Sequence, residues 1–101
     1  MKKINLAITG CMGKMGQQLI KSSQKDKNFK LITLTENREI NKKISGIKID
    51  LNNELAFKNT SIIIDFTMPK CTFEILKIAL KLNKRVVIGT TGFTQKEENL
   101  I

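Results

Sequence analysis

The sequence predicts an α/β chain: a doubly wound, mainly parallel sheet with helices on both faces. Three observations carry that expectation. Apolar runs at Ile4 to Ile8 and Ser61 to Phe66 lack polar alternation, as strands covered on both faces do. Segments with helical spacing separate the strands, and no internal repeat interrupts the order. A three-glycine turn joins the first strand to the first helix.

Taken in order, Lys3 to Thr9 reads as the first strand, with Ile4, Leu6, Ala7 and Ile8 apolar on both faces. Met12 to Lys25 reads as a helix with Met15, Leu19 and Ile20 on one face and Lys14, Lys21 and Lys25 elsewhere. Its end falls in the polar stretch Ser22 to Asn28. Lys30 to Glu36 is the second strand, rich in apolar and β-branched residues and closing on an acid. Asn37 to Ser45 is polar and basic and reads as a loop. Gly46 to Leu51 reads as a short strand and Asn52 to Lys58 as two helical turns.

Ser61 to Phe66 is the next strand, and Thr67-Met-Pro-Lys opens a helix, the proline's fixed φ suiting a first turn and Thr67 serving as cap. That helix carries Phe73, Leu76, Ala79 and Leu80 toward the core and Glu74, Lys77 and Lys81 outward. Asn83 ends it in the left-handed conformation. Arg85 to Ile88 is a further strand, followed by Gly89-Thr-Thr-Gly-Phe93. Thr94-Gln-Lys-Glu97 is a capping box for another helix. With Ile101 following so soon, the chain reads as cut short.

Composition bounds the function. The 101 residues allow one domain and one modest core. Hydrophobic residues at 41% and charged residues at 27% are globular proportions. No apolar run approaches the ~20 residues of a membrane span. Met1-Lys2-Lys3 and the apolar residues after it begin like a leader, but the run breaks at Thr9-Gly10, short of the usual h-region of about 7–15 residues. A first strand of a cytoplasmic protein is the expectation. Cys11 and Cys71 show no metal-ligand spacing, and a disulfide between them is not expected. Cys11 can be a reactive thiol near a helix start or a small residue tolerated in the turn, and the second reading is favoured.

Net charge is +9, from 16 lysines and two arginines against nine acids. That surplus raises a nucleic-acid partner as one hypothesis. Against it, the lysines are spread evenly, and the chain has no Tyr or Trp to stack on bases. No nucleic-acid partner is expected, although the charge favours an anionic cofactor.

The turn Gly10-Cys-Met-Gly-Lys-Met-Gly16 departs from the common G-x-G-x-x-G pattern, with Met12 in the middle place and Gly13 one later. Its context is the required one: strand, tight turn, then a helix whose N-terminal N–H groups and dipole favour a pyrophosphate. Glu36 ends the second strand 20 residues beyond Gly16, where an acid binds the adenosine ribose. A Rossmann-like dinucleotide-binding domain is the fold these signals specify. A carboxylate at Glu36 argues for NAD, whereas Arg38 can clasp a 2′-phosphate, so NADH and NADPH both stay open.

Lys14 and Lys70 can contact phosphate. Phe66 and Thr67 either flank the cofactor or serve packing and capping, and Gly89, Thr90, Thr91 and Gly92 can approach a nicotinamide. Asp65 is either a base or, preferably, an exposed or helix-capping carboxylate. The chain has no histidine, no convincing carboxylate pair and no metal constellation. It therefore offers no catalytic residue and no metal site, and a proton donor is not marked.

Four blocks together, Gly10 to Gly16, Glu36, Ile64-Asp-Phe-Thr-Met-Pro69 and Val87-Ile-Gly-Thr-Thr-Gly-Phe93, resemble the N-terminal cofactor domain of the 4-hydroxy-tetrahydrodipicolinate reductases. The resemblance covers nearly the whole chain. It implies NADH- or NADPH-dependent reduction of a small cyclic dicarboxylate in lysine and diaminopimelate biosynthesis. By matched position it places Gly10, Cys11, Met12, Gly13, Lys14 and Met15 on the pyrophosphate and Glu36 on the adenosine ribose. Phe66 and Thr67 then lie along the cofactor, and Gly89, Thr90 and Thr91 line the nicotinamide pocket, with Thr91 near the substrate.

Lys14 replaces the arginine usual in that family, and Asn37 stands where some members have arginine. The family's second domain, with its histidine-rich segment, catalytic lysine, substrate-carboxylate loop and most subunit contacts, is missing from this sequence. Homo-oligomers are accordingly expected only of a full-length chain. The 101-residue chain alone is expected to bind dinucleotide weakly without turnover. The alternative is a stand-alone, non-catalytic dinucleotide-binding module.

Overall fold

A computed structural model describes residues 3–67 and 69–89. The elements run β1 (Ile4–Thr9), α1 (Lys14–Lys25), β2 (Phe29–Glu36), β3 (Lys43–Ile44), β4 (Ile47–Leu51), α2 (Glu54–Phe57), β5 (Ile62–Asp65), α3 (Pro69–Leu82) and β6 (Arg85–Ile88). The sheet order is β3-β4-β2-β1-β5-β6, parallel throughout except for the antiparallel β3–β4 pair. Strand order therefore runs one way from β1 through β2 and the other way through β5. The crevice beyond the carboxyl ends of β1 and β5 is where such a sheet opens to a ligand.

The core is split by the sheet, as the unalternated apolar runs require. On one face Leu6, Ile8, Leu34 and Ile49 pack with Cys11 and with Ile20 of α1. On the other, Ala7 and Ile63 pack with Phe57 of α2 and Ile75 and Ala79 of α3. Register puts Ala7 beside Ile63 and, one step along the same face, Thr9 beside Asp65. Among the described residues no helix is long and apolar enough to cross a membrane.

Helix faces differ from the sequence expectation in two places. Met15 is 51% exposed rather than packed, and α1 instead buries Gly16, Ile20 and Ser23. The cause is the turn: α1 begins at Lys14, with Gly13 as N-cap, and Gly16 lies directly against Gly10. That contact rotates the buried stripe by one position. On α3 the buried positions are Cys71, Thr72, Ile75 and Ala79, while Leu80 is 84% exposed. Here Thr72 turns inward to hydrogen-bond Asp65, which shifts the stripe away from Phe73, Leu76 and Leu80.

The stretch read as a loop hides β3. Ser45 and Gly46 both have positive φ (53° and 80°), the two-residue hairpin turn whose twist suits flanking strands. It pairs Ile44 with Ile47. The end of α3 matches expectation. Asn83 is left-handed (φ 59°), its N–H donates to Leu80 O, and Lys84 N–H donates to Ala79 O. The expected capping box at Thr94 to Glu97 lies outside the described residues.

Candidate functional site

Three glycines build the turn at the carboxyl end of β1 for different reasons. Gly10 has φ +65°, and a Cβ there would collide with the Phe66 carbonyl and stand 3.4 Å from Thr67 Cγ2. A Cβ on Gly16 would collide with Gly10 O and lie 2.8 Å from Cys11 Cα. Both positions are thus closed by neighbouring backbone. Gly13 differs: a Cβ there meets only Gly10 O, at an ordinary 3.5 Å. The protein itself does not need a glycine at that place. The space its missing Cβ leaves belongs to the cleft.

Two adjoining clefts lie along this edge. One, of about 460 Å³, is lined by Gly10, Gly13, Lys14, Met15, Gly16, Phe66, Thr67 and Gly89. The other, of about 240 Å³, is lined by Gly10, Gly13, Glu36, Asn37, Phe66 and Thr67. They share Gly10, Gly13, Phe66 and Thr67. A Cβ on Gly89 would overlap the Phe66 ring, so the ring lies directly against bare backbone there. A larger groove of about 710 Å³ runs beside β4 from Glu39 to Asn53 and includes none of the turn.

Hydrogen bonding decides which groups of the turn are available. Cys11 N–H donates to Thr35 O (3.3 Å) and Gly13 N–H to Gly10 O (3.1 Å). Met12 N–H donates to Glu36 Oε2 (2.8 Å). Gln17 N–H donates to Gly13 O, which leaves the N–H groups of Lys14, Met15 and Gly16 without acceptors among the described residues. No side chain caps α1. The donors open to an anion therefore lie at the end of the block from Gly10 to Met15, at Lys14 and Met15, and Gly16 joins the set. Sequence reasoning ended the pyrophosphate block at Met15 and so left Gly16 out.

Glu36 performs a task its position alone does not reveal. Its Oε2 ties the turn to the end of β2. Its Oε1 accepts no hydrogen bond from the described residues, and the residue lines the smaller cleft. Arg38 is exposed and lines neither cleft. Lys14 lines the larger one; Lys70 lines neither.

Cys11 is fully buried and Met12 half-buried against the core, so neither side chain faces the two clefts. Burial, with the negative charge of Glu36 adding to it, pushes the Cys11 thiol up to about 11 from 9.0. The thiol stays protonated at neutral pH, so the reading of a tolerated small residue stands over that of a reactive group. Both cysteines are free. An unfolded chain releases the Cys11 proton earlier than the folded one, so this group's stabilising share is complete below pH 9.0 and is lost as pH rises through about 11. Urea midpoints followed across that range should fall, and fall less in Cys11→Ala.

Asp65 corrects one alternative of the sequence expectation, that of an exposed carboxylate. It is neither exposed nor at the cleft, being fully buried at the end of β5. Its Oδ1 accepts from Thr9 Oγ1 (2.6 Å) and Thr67 Oγ1 (2.7 Å), and its Oδ2 accepts from Thr72 Oγ1. Phe66 and Thr67 do stand in the shared wall of the clefts. Gly89 is at the larger cleft. Thr90 and Thr91 lie outside the described residues.

The cleft fits a dinucleotide on its own geometry: a backbone cradle at Gly13, three open N–H donors at a helix start, and an acceptor carboxylate at the second strand's end. Comparison with known proteins gives the family. Residues 4–101 match the family model described as dihydrodipicolinate reductase, N-terminus. A 4-hydroxy-tetrahydrodipicolinate reductase of Pelagibacter ubique is 72% identical over the whole chain, which spans 39% of that protein. One from Buchnera aphidicola of Schizaphis graminum is 40% identical over 95% of the chain and 40% of its own length. Among solved structures, a dipicolinate-bound dihydrodipicolinate reductase from a Paenisporosarcina species superposes with TM-score 0.78 at 28% identity, over 98% of this chain and 42% of that one. The chain thus spans about two fifths of the relatives it matches.

Proposed function

Because the chain belongs to the dihydrodipicolinate reductase family as its N-terminal, dinucleotide-binding part, we propose that its cleft holds NADH in preference to NADPH. The reaction served is the reduction of 4-hydroxy-tetrahydrodipicolinate, a cyclic dicarboxylate, in lysine and diaminopimelate synthesis. The observation that carries the coenzyme reading is Glu36, which lines the smaller cleft and whose Oε1 accepts no hydrogen bond from the described residues, while Arg38 lines neither cleft. A carboxylate accepts ribose hydroxyls and repels a 2′-phosphate.

Within this reading, the N–H groups of Lys14, Met15 and Gly16 hold the pyrophosphate at the start of α1, with the Lys14 ammonium adding charge. Phe66, Thr67 and Gly89 border the nicotinamide half; the family resemblance assigns Thr90 and Thr91, outside the described residues, to the same pocket. A bound dihydronicotinamide supplies a hydride; this chain's residues bind and orient it. No described residue is assigned the substrate's proton. Groups for that step and for the substrate carboxylates fall to the part of the reductase this sequence does not span.

Titration of the chain with NADH and NADPH, followed by nicotinamide fluorescence, tests the reading. Weak NADH binding that exceeds NADPH binding is expected, with no turnover of substrate by the chain alone. Equal or reversed preference would remove the assigned role of Glu36. Absence of any dinucleotide binding would remove the reading as a whole.

A further inference from the structure

The proposed site leaves Asp65 unused, yet this residue hydrogen-bonds to four segments near it. Thr9, which hands over to Gly10, donates to its carboxylate, as do Thr67 in the shared wall and Thr72 on α3. Its main-chain carbonyl accepts the Gly89 N–H (2.8 Å). The next residue, Phe66, closes its own carbonyl against Gly10 and its ring against Gly89. One buried residue thus joins the turn, the wall, α3 and the loop after β6.

A buried charge is a poor general stabiliser, because desolvation offsets most of what its partners return. What a hydrogen-bonded carboxylate does supply is fixed geometry at each donor. Of the segments fixed here, the start of the turn at Gly10 and the wall at Phe66 and Thr67 border both clefts, and Gly89 borders the larger. We infer that Asp65 is the positioning residue that keeps the two clefts in register, so that one dinucleotide fills both at once. The inference rests on the reading that the clefts hold the two halves of a dinucleotide.

Linking two weakly held halves raises affinity only while their subsites keep matching spacing and orientation. A loosened register therefore weakens the whole ligand and spares the parts. That split separates positioning from plain stabilisation, which would affect halves and whole alike.

The experiment titrates the isotope-labelled chain with NADH, adenosine monophosphate and reduced nicotinamide mononucleotide, reading chemical-shift changes in the native protein, Asp65→Asn and Thr72→Val. NADH binding about tenfold weaker in Asp65→Asn, with both mononucleotides bound as in the native chain, is the expected result. Parallel weakening of all three ligands, or unchanged NADH binding, overturns the inference. Should Asp65→Asn not fold, Thr72→Val decides by the same criterion, since it leaves the Thr9 and Thr67 bonds in place. If the native chain binds neither NADH nor its halves, the dinucleotide reading fails and the inference falls with it.

Discussion

Gly10→Ala is expected to lower the stability of the fold by about 3–5 kcal/mol, and Gly13→Ala to leave it nearly unchanged. The two glycines sit in one turn, so composition and exposure do not distinguish them. Geometry does. At Gly10 an alanine meets two penalties together: a left-handed backbone (φ +65°) and a methyl driven into the Phe66 carbonyl. Neither can relax cheaply, because Phe66 is backbone-fixed beside Asp65, whose side chain three threonines hold.

Gly16→Ala belongs with Gly10, losing about 2 kcal/mol or more despite a gain of about 1 kcal/mol in helix propensity, because its methyl meets the backbone of Gly10 and Cys11. Gly13 has φ −73°, and a Cβ there makes only an ordinary contact with Gly10 O. Its methyl would instead occupy cleft space, weakening dinucleotide binding by about tenfold or more. Denaturant midpoints and NADH titrations on the three variants measure both quantities. A stable Gly10→Ala, or a Gly13→Ala that binds NADH normally, would contradict this division.

How much of this was legible in the sequence follows from what sets each feature. Apolar runs buried on both faces and the turn chemistry are local, so the doubly wound order, the helix end at Asn83 and the acid at the end of β2 were readable. Helix rotation is not local. Met15 and Leu80 were assigned inward from spacing, but tertiary contacts, Gly16 on Gly10 and Thr72 on Asp65, turned both stripes by about one residue.

The hairpin at Ser45-Gly46 had a usable signal, two turn residues flanked by Ile44 and Ile47, which the surrounding lysines masked. At the site, Gly10, Gly13, Lys14, Met15, Glu36, Phe66, Thr67 and Gly89 all come to the clefts. The engagement of the Cys11 and Met12 N–H groups within the turn depends on where β2 ends relative to β1. No reading of one segment supplies that.

Glu36→Gln is expected to weaken NADH binding by about tenfold while leaving the fold intact. Of the two carboxylate oxygens only one is bonded within the described residues. Oε2 receives the Met12 N–H, and a glutamine carbonyl can accept the same bond, so the turn stays tied to β2. What the substitution removes is the carboxylate's charge at the cleft, and with it the stronger, charge-assisted bonds to ribose hydroxyls.

The same change removes the repulsion toward a 2′-phosphate. NADPH should therefore lose less than NADH or gain, narrowing the preference by about tenfold. It should also bring the Cys11 thiol down from about 11, because Glu36 contributes to raising it. Glu36→Ala goes further. The Met12 N–H, partly buried, loses its acceptor, and stability should fall by about 1–3 kcal/mol alongside the loss of binding. Comparing the two variants by urea unfolding and coenzyme titration separates the tether from the ribose contact. A glutamine variant that binds both coenzymes like the native chain would show that Glu36 serves only the turn, and the coenzyme reading would fail with it.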